Sequence, residues 1–173
     1  DPHKWLYAPF ESGCVLTRHP DTLRQAFAAD ADYMQDIPRE EVNFFERGPE
    51  LSRGNRALKL WVLFRSLGIE PIREAIRRDI KLCKLACEQL RKDPRIRIVT
   101  EPSLSMFSFS VPGGESAGRK LVDRILEDGF LMLSSSRVNG EFVLRLCMVN
   151  HRTTEEDVRL SVDRILELCA EGE

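Results

Sequence analysis

The sequence has no apolar run near the roughly 20 residues needed to span a bilayer, so nothing in it reads as a membrane anchor. It has no excess of either charge. Lys and Arg number 26 against 28 Asp and Glu, which leaves no basic face for nucleic acid and no acidic tail. Cysteine is sparse and odd in number: Cys14, Cys83, Cys87, Cys147 and Cys169 lie scattered over 173 residues. A secreted disulfide scaffold is smaller and denser in cysteine, so a reducing cytosol is the expected setting. Metal-ligand spacing is missing too. Cys83 and Cys87 lie four apart with no second pair, which reads as packing on a helix. His19 and His151 flank turns and read as surface residues. The sequence opens Asp1-Pro2-His3-Lys4 without Met, and nothing in it is expected to be a signal peptide. A start inside a longer protein is expected.

What is present is a globular composition, 42% hydrophobic and 31% charged, enough for one domain of ordinary size. Gly13 to Arg18 reads as a short buried strand, and Asp21-Thr22-Leu23 opens a short helix to about Ala28. Residues 29–52 hold many acidic residues, with Pro38, Gly48 and Pro49. They read as a functional loop or a solvated connector, and Phe44-Phe45 weighs against the connector. Arg56 to Leu67 is apolar on most sides, as a buried helix is, and Gly68 is placed to close it. A second helix begins near Pro71. Its stripe Ile72, Ile76, Ile80, Cys83, Cys87 and Leu90 has helical spacing, and Pro94 ends it.

From Arg95 the period changes to two. Arg95–Val99 and Phe107–Val111 alternate as strands do. Leu121, Val122, Ile125 and Leu126 mark a helix closed by Gly129. Phe130–Ser136 and Glu141–Val149 are expected strands around the hairpin signal Asn139-Gly140. Thr153 and Glu156 have the spacing of a capping box. The last helix carries Val158, Val162, Ile165, Leu166 and Cys169 on one face. The order β-β-α-β-β-α predicts a small α+β domain over 95–173. The division expected is 1–67, holding loop 29–52, then a connecting helix 68–94, then that domain. Residues 1–67 hold too little for a closed core and are expected to pack on something outside the chain.

The opening is the most motif-like stretch. Asp1-Pro2-His3-Lys4-Trp5-Leu6, followed by Gly13-Cys14-Val15-Leu16, resembles the group II pyridoxal-phosphate decarboxylases, the aromatic-L-amino-acid decarboxylase family. Members carry Asn or Asp, a small residue, then His-Lys-Trp at the cofactor lysine. Arg56-Ala57-Leu58-Lys59-Leu60-Trp61 is similar to the helix after the family's mobile loop, and Phe142-Val143-Leu144-Arg145 to a late strand. The three matches run in family order along the chain.

The resemblance implies a fold-type I α/β enzyme. The chain would hold the end of the large cofactor-binding domain and the small C-terminal domain. It implies a cytoplasmic homodimer, an upstream N-terminal part, an amino-acid substrate and pyridoxal 5'-phosphate held as an internal aldimine on Lys4. That chemistry needs an unprotonated amine, and burial disfavours the ammonium form, so a sheltered Lys4 is expected. The resemblance also puts His3 and Asp1 near the cofactor phosphate. An aspartate facing a dianion is repulsive unless it points elsewhere. Arg145 matches a small-domain arginine that binds the substrate carboxylate in related enzymes, and a structural salt bridge is its alternative.

One departure bears on the product. The family's mobile loop carries a catalytic tyrosine, and Phe44 stands at the corresponding place. Phenylalanine has no proton to donate. Relatives with this change yield an aldehyde, ammonia and hydrogen peroxide in place of an amine. The sequence therefore reads as a decarboxylase of an aromatic or related L-amino acid, with an aldehyde synthase as the alternative. An inactive homologue serving as a subunit is the third reading.

Overall fold

The computed structural model describes residues 1–28 and 41–170. Residues 29–40, the first half of the expected loop 29–52, lie outside the described residues. The chain divides into two compact units: Asp1–His3 with Ala8–Ser66, and Lys4–Tyr7 with Leu67–Glu173.

The second unit holds the core. Helix α4 (Glu70–Leu90) leads into strands β1 (Arg97–Ser103) and β2 (Met106–Ser110), then helix α5 (Gly114–Asp128), strands β3 (Ser134–Val138) and β4 (Glu141–Cys147), and helix α6 (Glu155–Ala170). The sheet is antiparallel in the order β1-β2-β4-β3. Alternation sorts its side chains. Phe107 and Phe109 of β2 lie opposite Leu146 and Leu144 of β4 and share one buried face. All three helices close that face: α4 with Leu82, Ala86 and Leu90, α5 with Leu121 and Ile125, α6 with Val158, Val162 and Ile165. Removing this apolar surface from water, at about 25 cal/mol per Å², is what holds the unit together.

The opposite face carries Thr100, Ser108 and Arg145 beside the buried Val143. Thr100 Oγ1 lies 2.7 Å from Ser108 Oγ and accepts from Ser108 N at 3.0 Å, where a register shift interrupts the β1–β2 ladder. Arg97 of β1 pairs with Glu141 of β4 across β2.

The turns follow their residue types. Asn139 and Gly140 have φ of 50° and 83°, both left-handed, as a two-residue hairpin with type I′ geometry requires. Gly129 closes α5 at φ 73°, and its N–H donates to Ile125 O at 3.2 Å. The capping box sits one residue beyond the expected Thr153–Glu156 pair. Thr154 Oγ1 accepts from Asp157 N at 3.2 Å, while Asp157 Oδ2 accepts from Thr154 N at 2.8 Å. Strand β3 begins at Ser134, later than the expected Phe130, because pairing with β4 starts there; Phe130 and Met132 are exposed.

Helix α1 (Pro2–Trp5) straddles the division, with Pro2 and His3 in the first unit and Lys4 and Trp5 in the second; the first unit also holds α2 (Thr22–Phe27) and α3 (Arg56–Leu67), whose last residue opens the second unit, with a short 3-10 helix at Phe44–Arg47. One expectation fails here. Residues 13–18 form no strand, and Val15 and Leu16 are 74% and 93% exposed. A strand exists only against a hydrogen-bonding neighbour, and the described residues offer 13–18 none. Helix α3 has the expected bounds, yet none of its residues is buried; Trp61 is 60% exposed. Its apolar surface has no cover within the described residues.

Candidate active site

Residues 1–12 bring three of the expected site residues onto one turn. Asp1 precedes α1, and His3 and Lys4 lie on it. Pro2 is buried and its fixed φ suits the first helical position. The turn is closed by Ala8 N–H donating to Pro2 O at 3.1 Å and Tyr7 N–H donating to Lys4 O at 3.4 Å.

His3 is half-buried and its ring is pinned. Nδ1 lies 2.7 Å from Ser12 O and 3.2 Å from Ser12 N. The Phe10 ring meets it edge-on, with centroids 5.2 Å apart. The shorter contact is that of an Nδ1–H donating to the Ser12 carbonyl, which leaves Nε2 as the atom open to a ligand. Only the doubly protonated ring offers N–H groups at both nitrogens.

Lys4 is exposed in this chain, in contrast to the sheltered side chain expected from the chemistry. Asp1 is exposed as well. The segment after the turn is held to α3. Arg56 donates to Glu11 Oε1 at 2.5 Å and to Glu50 Oε2 at 2.6 Å, and Lys59 donates to the carbonyls of Phe10 and Glu11 at 3.0 and 2.9 Å. Hydrogen bonds from Arg56 hold the Glu50 carboxyl below its usual range. The family-like Arg56–Trp61 helix therefore fixes the chain just beyond the Lys4 turn.

Phe44 begins the 3-10 helix, 63% exposed, with the Arg53 guanidinium 5.8 Å from its ring centre. Arg145 lies in the other unit, on the sheet face that also carries Ser108. It is exposed, and its Nε donates to Ser134 Oγ at 3.1 Å. This partner is a neutral hydroxyl, not an acid. Asp1, His3 and Lys4 thus share one turn, while Phe44 and Arg145 stand on separate elements in different units.

A cluster around Tyr7 was missed from the sequence. Tyr7 OH donates to Asp79 Oδ2 at 2.6 Å, and its ring meets His151 edge-on at 5.8 Å. Asp79 lies on α4, 1% exposed. Burial raises its carboxyl above the usual range, against the lowering effect of the Tyr7 hydrogen bond. Burial, and then the Asp79 contact, raise the Tyr7 phenol as well. Tyr7 has φ 54°, a left-handed conformation that costs an L-residue about 1–2 kcal/mol. The available signal was spacing: Asp79 falls seven after Ile72 and four before Cys83, on the buried stripe of α4.

A family model described as the pyridoxal-dependent decarboxylase conserved domain matches residues 1–112. An aromatic-L-amino-acid decarboxylase of Bacillus atrophaeus is 36% identical over 99% of this chain and 38% of its own length. The chain thus spans little more than a third of that relative. Two solved plant enzymes share its fold. The tryptophan decarboxylase of Catharanthus roseus in complex with L-tryptophan has a TM-score of 0.69 and 29% identity, over 75% of this chain and 29% of that one. The 4-hydroxyphenylacetaldehyde synthase of Rhodiola rosea has a TM-score of 0.67 and 26% identity, over 88% and 31%. With that family model matching residues 1–112 and the Bacillus relative 36% identical over nearly the whole chain, the chain belongs to the pyridoxal-dependent decarboxylase family.

Proposed function

We propose that this chain is the C-terminal part of a pyridoxal-phosphate enzyme that decarboxylates an aromatic or related L-amino acid, with Lys4 as the amine that carries the cofactor. The observation that carries the reading is the Lys4 turn itself, inside the stretch that matches the family. Its exposed side chain is accessible to an aldehyde, and the adjacent imidazole is fixed through Nδ1 with Nε2 open. These residues fit the group: a primary amine to condense with, and beside it an imidazole whose Nε2 carries an N–H for an anion when the ring holds both protons.

When bound, the cofactor supplies an electron sink for the bond between Cα and the departing carboxylate. Lys4 holds it in place, and His3 orients it through the phosphate. Asp1 flanks the same turn and is the weaker candidate, because its charge opposes a dianion. Arg145 is the candidate for the substrate carboxylate, since its guanidinium is exposed and donates to a neutral hydroxyl, that of Ser134. The rest of a longer polypeptide would cover Lys4, Val15, Leu16 and α3. Desolvation under that cover is what a condensing amine needs. The assembly is a homodimer. Five free cysteines accord with a cytoplasmic setting.

A second reading rests on Phe44, which has no proton to return to the substrate carbon, and on the likeness to an aldehyde synthase. There the products are an aldehyde, ammonia and hydrogen peroxide.

The test is borohydride reduction of the full-length protein with added pyridoxal phosphate, followed by peptide mapping. Label on Lys4, with absorbance near about 420 nm before reduction, is expected. Label on another lysine would sink the assignment, and absence of any band would favour an inactive homologue. Peroxide formed stoichiometrically with turnover would select the aldehyde product, and Phe44→Tyr should then shift products toward amine.

A further inference from the structure

The Tyr7 cluster has no part in the chemistry above, yet it ties a buried carboxyl of α4 to the segment that carries Lys4. Three elements meet there. The Lys4–Tyr7 segment supplies the phenol, α4 supplies Asp79 and Arg78, and the turn before α6 supplies His151. Arg78 Nη2 donates to the His151 backbone carbonyl at 2.5 Å, tying to α4 the turn whose ring Tyr7 meets. Asp79 is 1% exposed; its Oδ2 accepts from Tyr7, and its Oδ1 has no hydrogen-bond partner among the described residues. A buried carboxyl with one engaged oxygen depends heavily on that single donor. Tyr7 in turn holds its left-handed backbone only while its side chain is anchored. The Tyr7 N–H donates to Lys4 O, so the anchored residue closes the turn that carries Lys4.

We propose that Asp79 is a positioning residue for Lys4, acting through Tyr7. The hydroxyl–carboxyl bond fixes the Lys4 turn to α4 and so sets the direction of the Lys4 side chain. An amine three residues from a chain reversal needs such support, because a reacting group must be held to within roughly 0.5 Å. The proposal rests on the Lys4 reading above.

The experiment uses the full-length protein and has two arms. The first is amide hydrogen exchange on cofactor-free protein, read at Tyr7 and Ala8. Tyr7→Phe and Asp79→Ala should each speed exchange roughly tenfold, the ratio that corresponds to about 1.4 kcal/mol. Asp79→Asn keeps an oxygen to accept from Tyr7 and should restore slow exchange. Tyr7→Phe is nearly isosteric and guards against a variant that simply fails to fold. Unchanged exchange in Tyr7→Phe would overturn the clamp.

The second arm follows the band near about 420 nm in the loaded protein. Tyr7→Phe and Asp79→Ala should each move the pH midpoint of that band and speed cofactor release several-fold, whereas Asp79→Asn, which still accepts from Tyr7, should leave both near the unmodified values. Faster exchange with an unmoved band would overturn the link to Lys4. Borohydride label on a lysine other than Lys4 in the unmodified protein would instead sink the cofactor assignment. The exchange rates, taken without cofactor, tell that failure apart from failure of the clamp.

Discussion

Gly118 lies in the middle of α5, where glycine costs a helix about 1 kcal/mol relative to alanine. Substitution by alanine should stabilise the domain on propensity alone. The structure reverses the sign. A Cβ at Gly118 would sit 2.6 Å from Phe142 Cε1 and 3.0 Å from Cδ1. Ordinary carbon contacts lie at about 3.5–4.0 Å, so ring or helix must shift by about 1 Å. The ring has little room, since Phe142 is 9% exposed and carries the Arg119 guanidinium 5.1 Å from its centre. Overpacking of this kind costs about 1–3 kcal/mol. Set against the helix gain of about 1 kcal/mol, Gly118→Ala should destabilise by roughly 1 kcal/mol. Leucine at position 142 removes the ring, and in that background Gly118→Ala should stabilise by roughly 1 kcal/mol. The coupling of about 2 kcal/mol is read from urea midpoints of residues 67–173 in a double-mutant cycle. That segment suits the assay because its core cluster spans only Leu82 to Leu168. Equal stabilisation in both backgrounds would refute the close approach of α5 to β4.

Two further outcomes follow from local geometry. Thr154→Ala removes the acceptor for Asp157 N and should cost about 1 kcal/mol, while Thr153→Ala, outside the observed capping box, should cost far less; thermal melts of the two variants check this. Burial raises the Asp79 carboxyl above its unfolded value, so the native state keeps a proton that the unfolded chain releases. Stability should therefore fall as pH rises from the ordinary carboxyl range through the raised native value, then level off, and Asp79→Asn should abolish that slope in denaturation curves taken across the window.

The second unit was readable because its signals are local and agree with one another. The period-two runs around Phe107 and Leu144, the Asn139-Gly140 turn and the stripe ending at Leu90 each fix one element, and those elements bury one another within the chain. The end of α3 was readable for the same reason: Gly68 takes φ 76° just past Leu67, as its type and place predict. Burial was a different matter. Hydrophobicity tells that Trp61 and Leu16 need cover, but not which residues supply it, and the described part of this chain supplies none.

The site divides along the same line. Asp1, His3 and Lys4 share a turn because three or four residues of helix suffice to bring them together, so a short motif captures them. The Tyr7–Asp79 bond joins residues 72 apart, and no local period reports it. A sequence pattern lists Asp79 among the charged residues of an amphipathic helix, where the bland expectation is a solvated carboxylate. Only its phase on the stripe, shared with Ile72 and Cys83, separates it from Arg77 and Lys81 on the outer side. An acid in the buried phase of a helix calls for a donor from elsewhere in the fold, and here the donor comes from the segment that carries the proposed cofactor lysine. The phase of a charged residue, more than its identity, is therefore what the sequence offers toward finding such a contact.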